Sequence, residues 1–482
     1  MHTTKTSKYL LLVIILSFLF LAQSDYENWK KQEIDNYTKF ADAHDKAFVK
    51  YLEQQWKEFE SFKGLSRDDT PKPQVIPSAP KHDIMHFDSS NKVKEIEVPS
   101  PTEDNKANIE YEDINKDKEK LNLNFWGIRL DFNFPATIDV RVNEPIEKKT
   151  ISDFWYQVTN YNYKVLVESL NSYQQKLNLN DWAYCQLLNE TVKKMFESKV
   201  KQNLFAWFLL LKSQYECKIG YNDTGIYLLL PAKNIIYDTT YIVIDGKNYY
   251  IIDFERKVEN DVAIFTYKKD YPGENELIDL NMDKQPKNET MIVQKQYKFT
   301  YGEEDYTVNV KFDRQLTNFY QNYPHSELDI YFNSVVSNSL KHSLAKSFKP
   351  VLEGKSEAEA VNILLRFVQT AFAYQTDSEQ FGYEKVLFPE ETLFYPSSDC
   401  EDRAVLFSFL VNSFLGLEVV GLDYPGHIAT AVKFNTDIKG DAITFKGKKY
   451  YVCDPTYINA DIGIAMPKFK KVKPEIIEIS RI

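Results

Sequence analysis

Ser397-Ser-Asp-Cys-Glu-Asp-Arg-Ala-Val-Leu-Phe-Ser-Phe-Leu410 places a thiol, Cys400, at the head of a strongly apolar run. Ser398 or Asp399 can cap a helix at that point. A thiol on the first turn of a helix sits at the positive end of the helix dipole, which favours the thiolate, its nucleophilic form. The N–H groups of the same turn can hydrogen-bond a developing oxyanion.

A thiolate nucleophile needs a base, and His427 is the one histidine after Cys400. It lies in Tyr424-Pro-Gly-His-Ile-Ala-Thr-Ala-Val-Lys433, where a Pro-Gly turn delivers it to the start of an alternating strand. The base in turn needs an orienting carboxylate. Asp454 ends the strand Lys449-Tyr-Tyr-Val-Cys-Asp-Pro-Thr456, and adjacent antiparallel strands would set it beside His427. Cys453 precedes it, so its side chain points to the opposite face, toward the core if Asp454 faces the cleft. Each residue alone has an ordinary structural explanation. The ordered set of Cys at a helix start, His at a strand start and Asp-Pro-Thr at a strand end is more specific.

These residues resemble the transglutaminase-like superfamily of papain-fold enzymes, in which a helix carries the Cys and a sheet carries the His and Asp. The resemblance covers about residues 355–470 and is closest in kind to exported bacterial proteins with this domain at their C-terminus. It implies thiol acyl transfer: attack on an amide carbonyl, a thioester, then release to water or to an amine. Cross-linking transglutaminases place a Trp before the Cys as an oxyanion donor. All six Trp here lie at or before position 207, so Gln380, Tyr383 or Tyr395 are the alternative donors, and hydrolysis of a peptide or amide is favoured over cross-linking. The substrate is then a peptide or protein, including cell-wall peptide, and no cofactor or metal is required. Glu401 and Asp402 would oppose thiolate formation if they face Cys400, and Arg403 would offset them.

Working outward, the segment 375–399 is acidic and aromatic and reads either as a wall of the cleft or as a packed loop. The chain also matches itself at a separation of about 200 residues. Leu204–Ser213, Cys217–Tyr221 and Ile244–Asp253 repeat the pattern of Ala404–Ser413, Gly416–Leu422 and Phe445–Asp454. Each copy reads as a buried helix followed by an antiparallel sheet, an α+β unit. In the earlier copy Val200 stands opposite Cys400 and Ile226 roughly opposite His427, and only Asp253 keeps its counterpart. That unit cannot perform the same chemistry.

The organisation read from the sequence is a signal peptide over 1–24, an amphipathic helix over 25–64, a Pro-rich linker over 65–120, a degenerate transglutaminase-like unit over 121–272, a connector over 273–350 and a catalytic transglutaminase-like domain over 351–482. Lys5 and Lys8 before the apolar run Tyr9–Ala22, with Ala22-Gln23-Ser24 as a cleavage site, imply export to a periplasm or the extracellular space. The alternative is an uncleaved signal segment acting as the sole membrane contact. Spacings of three and four from Tyr37 to Phe62 predict one helix over 26–63, serving self-association or packing back on its own chain. The connector reads as a hairpin around Gly302 and an amphipathic helix over 326–347. His82 and His86, four apart in the linker, read as solvated rather than as metal ligands, and His325 and His342 as ordinary surface or helix residues.

Composition narrows the classes further. A net charge of −11 argues against nucleic acid as a partner. No phosphate-binding glycine loop, Cys-x-x-Cys or His-Glu-x-x-His occurs. Cys185 and Cys217 are either a disulfide or two buried thiols. A catalytically silent binding or assembly module of the cell envelope is the rival to the enzyme.

Overall fold

The computed structural model describes residues 43–68, 70–81, 91–100, 120–223, 225–254 and 263–480. The signal segment, His82 and His86 lie outside them. The architecture is mixed helix and sheet. No helix among the described residues is long and apolar enough to cross a membrane.

Two helix-plus-sheet units follow one another. In the first, helices Asp181–Met195 and Lys199–Lys212 lead into strands Lys218–Asn222, Gly225–Leu230, Tyr241–Ile244, Lys247–Ile252 and Ile264–Thr266. In the second, helices Glu357–Thr370 and Cys400–Leu415 lead into strands Glu418–Tyr424, His427–Lys433, Ala442–Phe445, Lys448–Cys453 and Glu475–Glu478. Counted in chain order, both sets of five strands are arranged 4–3 outward in the same way: the last strand borders the first, then the second, the fourth and the third. All neighbours are antiparallel.

Registers agree too. Asn222 pairs with Gly225 as Tyr424 pairs with His427, and Leu228 pairs with Ile252 as Thr430 pairs with Cys453. Ile244 and Lys247 close a two-residue turn, as do Phe445 and Lys448. A one-residue slip would turn every side chain to the other face, so the two units share a topology at the level of single residues.

The N-terminal region departs from the sequence expectation. Helix is present over 43–52, then the chain turns to strand at Lys57–Phe59 and Ser61–Phe62. These short strands pair with Ile264–Thr266 and Tyr241–Ile244, the two outer strands of the first unit's five. Six strand spacings of about 4.8 Å would hold the two short strands roughly 29 Å apart in a flat sheet. The two residues from Phe59 to Ser61 reach about 7 Å. The sheet therefore curls until one bent segment serves both edges, leaving neither open to another chain. The helix over 43–52 packs inward: Phe48 meets Trp155, Tyr267 and Tyr271 edge-on.

The linker also differs from expectation. Its described parts are extended and tied to both units, though most of their residues stay at least partly exposed: the Leu65 carbonyl accepts from Asp238 N–H at 2.8 Å in the first unit. Val93 N–H donates to the Lys355 carbonyl at 2.8 Å, and Ile96 is buried. In the connector, Ile292–Tyr301 and Glu304–Asp313 form the hairpin around Gly302. The helix expected over 326–347 is split into Leu328–Phe332 and Asn338–Leu352, because Ser337 caps the second piece through Leu340 N–H.

Candidate functional site

Cys400 is the first residue of its helix, with Asp399 as N-cap. Asp402 reaches back to accept from Asp399 N–H at 3.2 Å and from Leu387 N–H at 2.8 Å. The reciprocal cap fixes the entry angle of the chain and so the position of the thiol. The helix is apolar nearly all round and is sunk in the core, and Gly416 ends it in the left-handed conformation.

His427 opens its strand directly after the two-residue turn Pro425-Gly426, with Gly426 at φ +67°. Its Nε2 lies 2.8 Å from Asp454 Oδ2. Its ring stacks on Phe469 at 5.0 Å between centroids and 6° between planes. Its Nδ1 is buried without a hydrogen-bond partner. Asp454 is fixed as well: Oδ1 accepts from Thr456 N–H at 3.0 Å and Tyr457 N–H at 3.1 Å. Gln369 then ties the Asp454, Tyr457 and Ala460 carbonyls to helix Glu357–Thr370. The backbone of Ile428, one residue beyond His427, acts on the Cys400 sulfur to favour its thiolate. The structure thus brings Cys400 to the head of the histidine strand and pairs that histidine with Asp454.

The thiol itself is held in its neutral form. Burial first, then the carboxylates of Glu401 and Asp399, push it well above its ordinary range. Its S–H donates to Glu401 Oε2 at 3.1 Å. The offsetting cation is not Arg403, as the sequence suggested. Arg403 donates to Ser398 Oγ and to the carbonyls of Gln369, Phe372 and Ala373. The cation is Lys72, from the linker, whose ammonium contacts Glu401, lies 2.9 Å from Asp399 Oδ2 and 3.4 Å from Asp377 Oδ2, and contacts Glu384. Burial and mutual repulsion raise the carboxyls of Asp377, Asp399 and Asp402, while Lys72 and Arg67 hold Glu401 ionised against its burial.

Among the expected oxyanion donors, Gln380 keeps a buried Nε2 without a partner, whereas the Tyr395 phenol is raised by burial and Tyr383 is half exposed. Sequence reasoning missed Tyr374, whose phenol is raised by burial and then by Cys400. Its parallel pairing with Ser397–Ser398 places it there, and a two-residue strand leaves no periodic signal to find.

In the first unit the equivalent positions hold Lys199, Gly225 and Asp253, one residue before the alignment with Val200 and Ile226. Lys199 Nζ lies 3.1 Å from Asp253 Oδ1, so an ion pair stands where the second unit has its thiol, imidazole and carboxylate. A cavity of about 640 Å³ opens beside Asp253, Trp126 and Trp182. Cys185 and Cys217 are separate buried thiols, not a disulfide, and Cys453 faces the core. His325 pairs with Asp238 at 2.9 Å, and His342 with the Pro99 carbonyl at 2.7 Å. No known family, curated protein or solved structure matches the chain.

Proposed function

We propose that the chain is an exported, transglutaminase-like cysteine hydrolase of peptide or amide bonds, with Cys400 as nucleophile, His427 as base and acid, and Asp454 as its orienter. The observation that carries this reading is the His427–Asp454 pair at 2.8 Å, with the opposite ring nitrogen buried and unpartnered, on a strand packed against the Cys400 helix. Asp454 on Nε2 fixes the tautomer that leaves Nδ1 as acceptor.

The Cys400 proton passes to His427 and the sulfur bonds to the amide carbon. The tetrahedral oxyanion collapses, the C–N bond breaks, and the leaving amine takes the proton from His427. Water, deprotonated by His427, then displaces the sulfur, giving a carboxylic acid and the free thiol. First-turn N–H groups and the free amide of Gln380 are available to the oxyanion.

A specific observation favours the second reading, a silent binding module: the resting thiol is neutral and bonded to Glu401. Digestion of a peptide library by the full chain and by Cys400→Ala separates them. New termini produced by the wild type and lost in Cys400→Ala are expected, with His427→Ala slowed at least about 100-fold. Identical product lists from both chains overturn the hydrolase. A labelled amine in the same digest distinguishes transfer from hydrolysis.

A further inference from the structure

Residues 67–79, apart from residue 69, which is not described, run past the candidate site and touch the neighbours of its three residues. Arg67 Nη1 lies 3.2 Å from Asp423 Oδ2, and Asp68 Oδ2 accepts the Gly426 N–H at 2.8 Å, one residue before His427. Thr70 and Pro71 press so closely on Gly426 that a Cβ there would meet Thr70 Cγ2 at 2.8 Å. Lys72 enters the acidic pocket around Cys400, and the Tyr374 hydroxyl donates to the Pro73 carbonyl at 2.6 Å. Ile458, four residues after Asp454, then donates its N–H to the Pro77 carbonyl at 2.9 Å, and its carbonyl accepts from Ala79 N–H at 2.7 Å.

The contacts are of the kind an extended peptide makes with a peptide-binding track: backbone bonds at one end, a bonded carbonyl in the middle, one side chain in a pocket. Pro71, Pro73 and Pro77 suit this path, since they favour extension and carry no N–H to satisfy. The cover is close. Cys400 is 0 % exposed, and His427 and Asp454 are 2 % exposed.

The pocket has a definite chemistry. Asp377, Asp399 and Glu401 are buried, Glu384 closes the rim, and Asp399 Oδ1 is buried with no hydrogen-bond partner. Several carboxyls facing one point repel each other in a low-dielectric site and attract a cation. The Lys72 ammonium, its side chain 9 % exposed, fills that point by charge and hydrogen bonding. A four-way engagement of this kind marks a recognised group, not a reacting one.

We propose that the Asp377–Glu384–Asp399–Glu401 pocket is a subsite for a lysine-type side chain of an extended peptide substrate, and that residues 67–79 occupy the track in cis as a built-in pseudosubstrate. The proposal rests on Cys400 as the nucleophile of the reading above. Turnover requires the segment to leave, which admits water to the thiol and removes the leading cause of its inertness.

Iodoacetamide labelling of the full chain, followed by mapping of the Cys400 peptide, tests this without any need for turnover. Lys72→Met is expected to speed Cys400 labelling at least tenfold over wild type. Asp68→Ala, which removes an anchor outside the pocket, is expected to speed it as well, with thermal melts checking that both variants fold. A synthetic peptide of residues 66–79 should restore protection to Lys72→Met, and the same peptide with alanine in place of lysine should not. Unchanged labelling in both variants overturns the proposal. So does equal protection by the lysine peptide, the alanine peptide and Ca²⁺ alone, which would make the pocket a general sink for charge. Faster labelling with no Cys400-dependent digestion would leave the pocket standing and remove the hydrolase; the reverse pattern would remove the pocket alone.

Discussion

Glu390 illustrates how single residues set the conditions under which the fold holds. It is buried, accepts the Ser337 N–H at 2.8 Å, and leaves its Oε2 without a partner. Burial pushes its carboxyl up to about 7. A carboxyl raised on folding binds a proton that the unfolded chain releases at an ordinary carboxylate pH. Its contribution therefore favours folding at low pH and is lost as pH rises from the ordinary carboxylate value to about 7. Glu390→Gln keeps the shape and removes the titration. It should raise stability at pH 8, by as much as about 3 kcal/mol, and flatten the slope between pH 5 and 8. Urea unfolding at several pH values measures this; parallel pH profiles for the two chains would contradict it. At the same scale, Cys400, His427 and Asp454 were legible in the sequence because each stands where two elements meet, which polarity and turn residues announce. Lys72 was not legible: its partner Asp399 lies 327 residues away, and a lysine among prolines looks like any solvated linker residue.

Among elements, the segment 57–62 shows where periodicity misleads. Trp56, Phe59 and Phe62 are spaced as on a helix, yet this stretch is the bent strand that closes the first sheet. Its pairing partners, Phe265 opposite Glu58 and Ile242 opposite Ser61, are far along the chain and outweigh a local pattern. The closure needs a close approach at Gly64, where a Cβ would meet Thr239 N at 2.2 Å and the Asp238 carbonyl carbon at 2.5 Å. Backbone cannot step aside as a side chain can. Gly64→Ala should cost about 1–3 kcal/mol and release the neighbouring pairing, so the amide of Tyr241, which faces Phe62, should exchange faster. An unchanged urea midpoint and unchanged exchange would show that the closure is not tight. The helix–hairpin–hairpin pattern of both units was legible because buried helices and Gly turns recur. The identity of their registers was not, since register depends on pairing that no single strand encodes.

Across the whole molecule, the candidate site lies at the seam of the two units. Cys400, Ala404, Val405 and Ile428 belong to the same continuous apolar core as Trp155, Trp207 and the first unit's helices. The chain leaves the first sheet at Phe62 and crosses the second unit's candidate site before reaching Pro77 and Ala79. One unit thus carries an ion pair where the other carries a thiol, and the strap between them covers that thiol. On the proposed mechanism, His427, held by Asp454, makes Cys400 nucleophilic once the strap over residues 67–79 has lifted. The direct measurement is the pH dependence of Cys400 alkylation by iodoacetamide in the Lys72→Met chain, with and without His427→Ala. Rapid labelling is expected, persisting below the ordinary thiol range and falling at least about tenfold at neutral pH when His427 is removed. Superimposed profiles, both those of an ordinary free thiol, would contradict it.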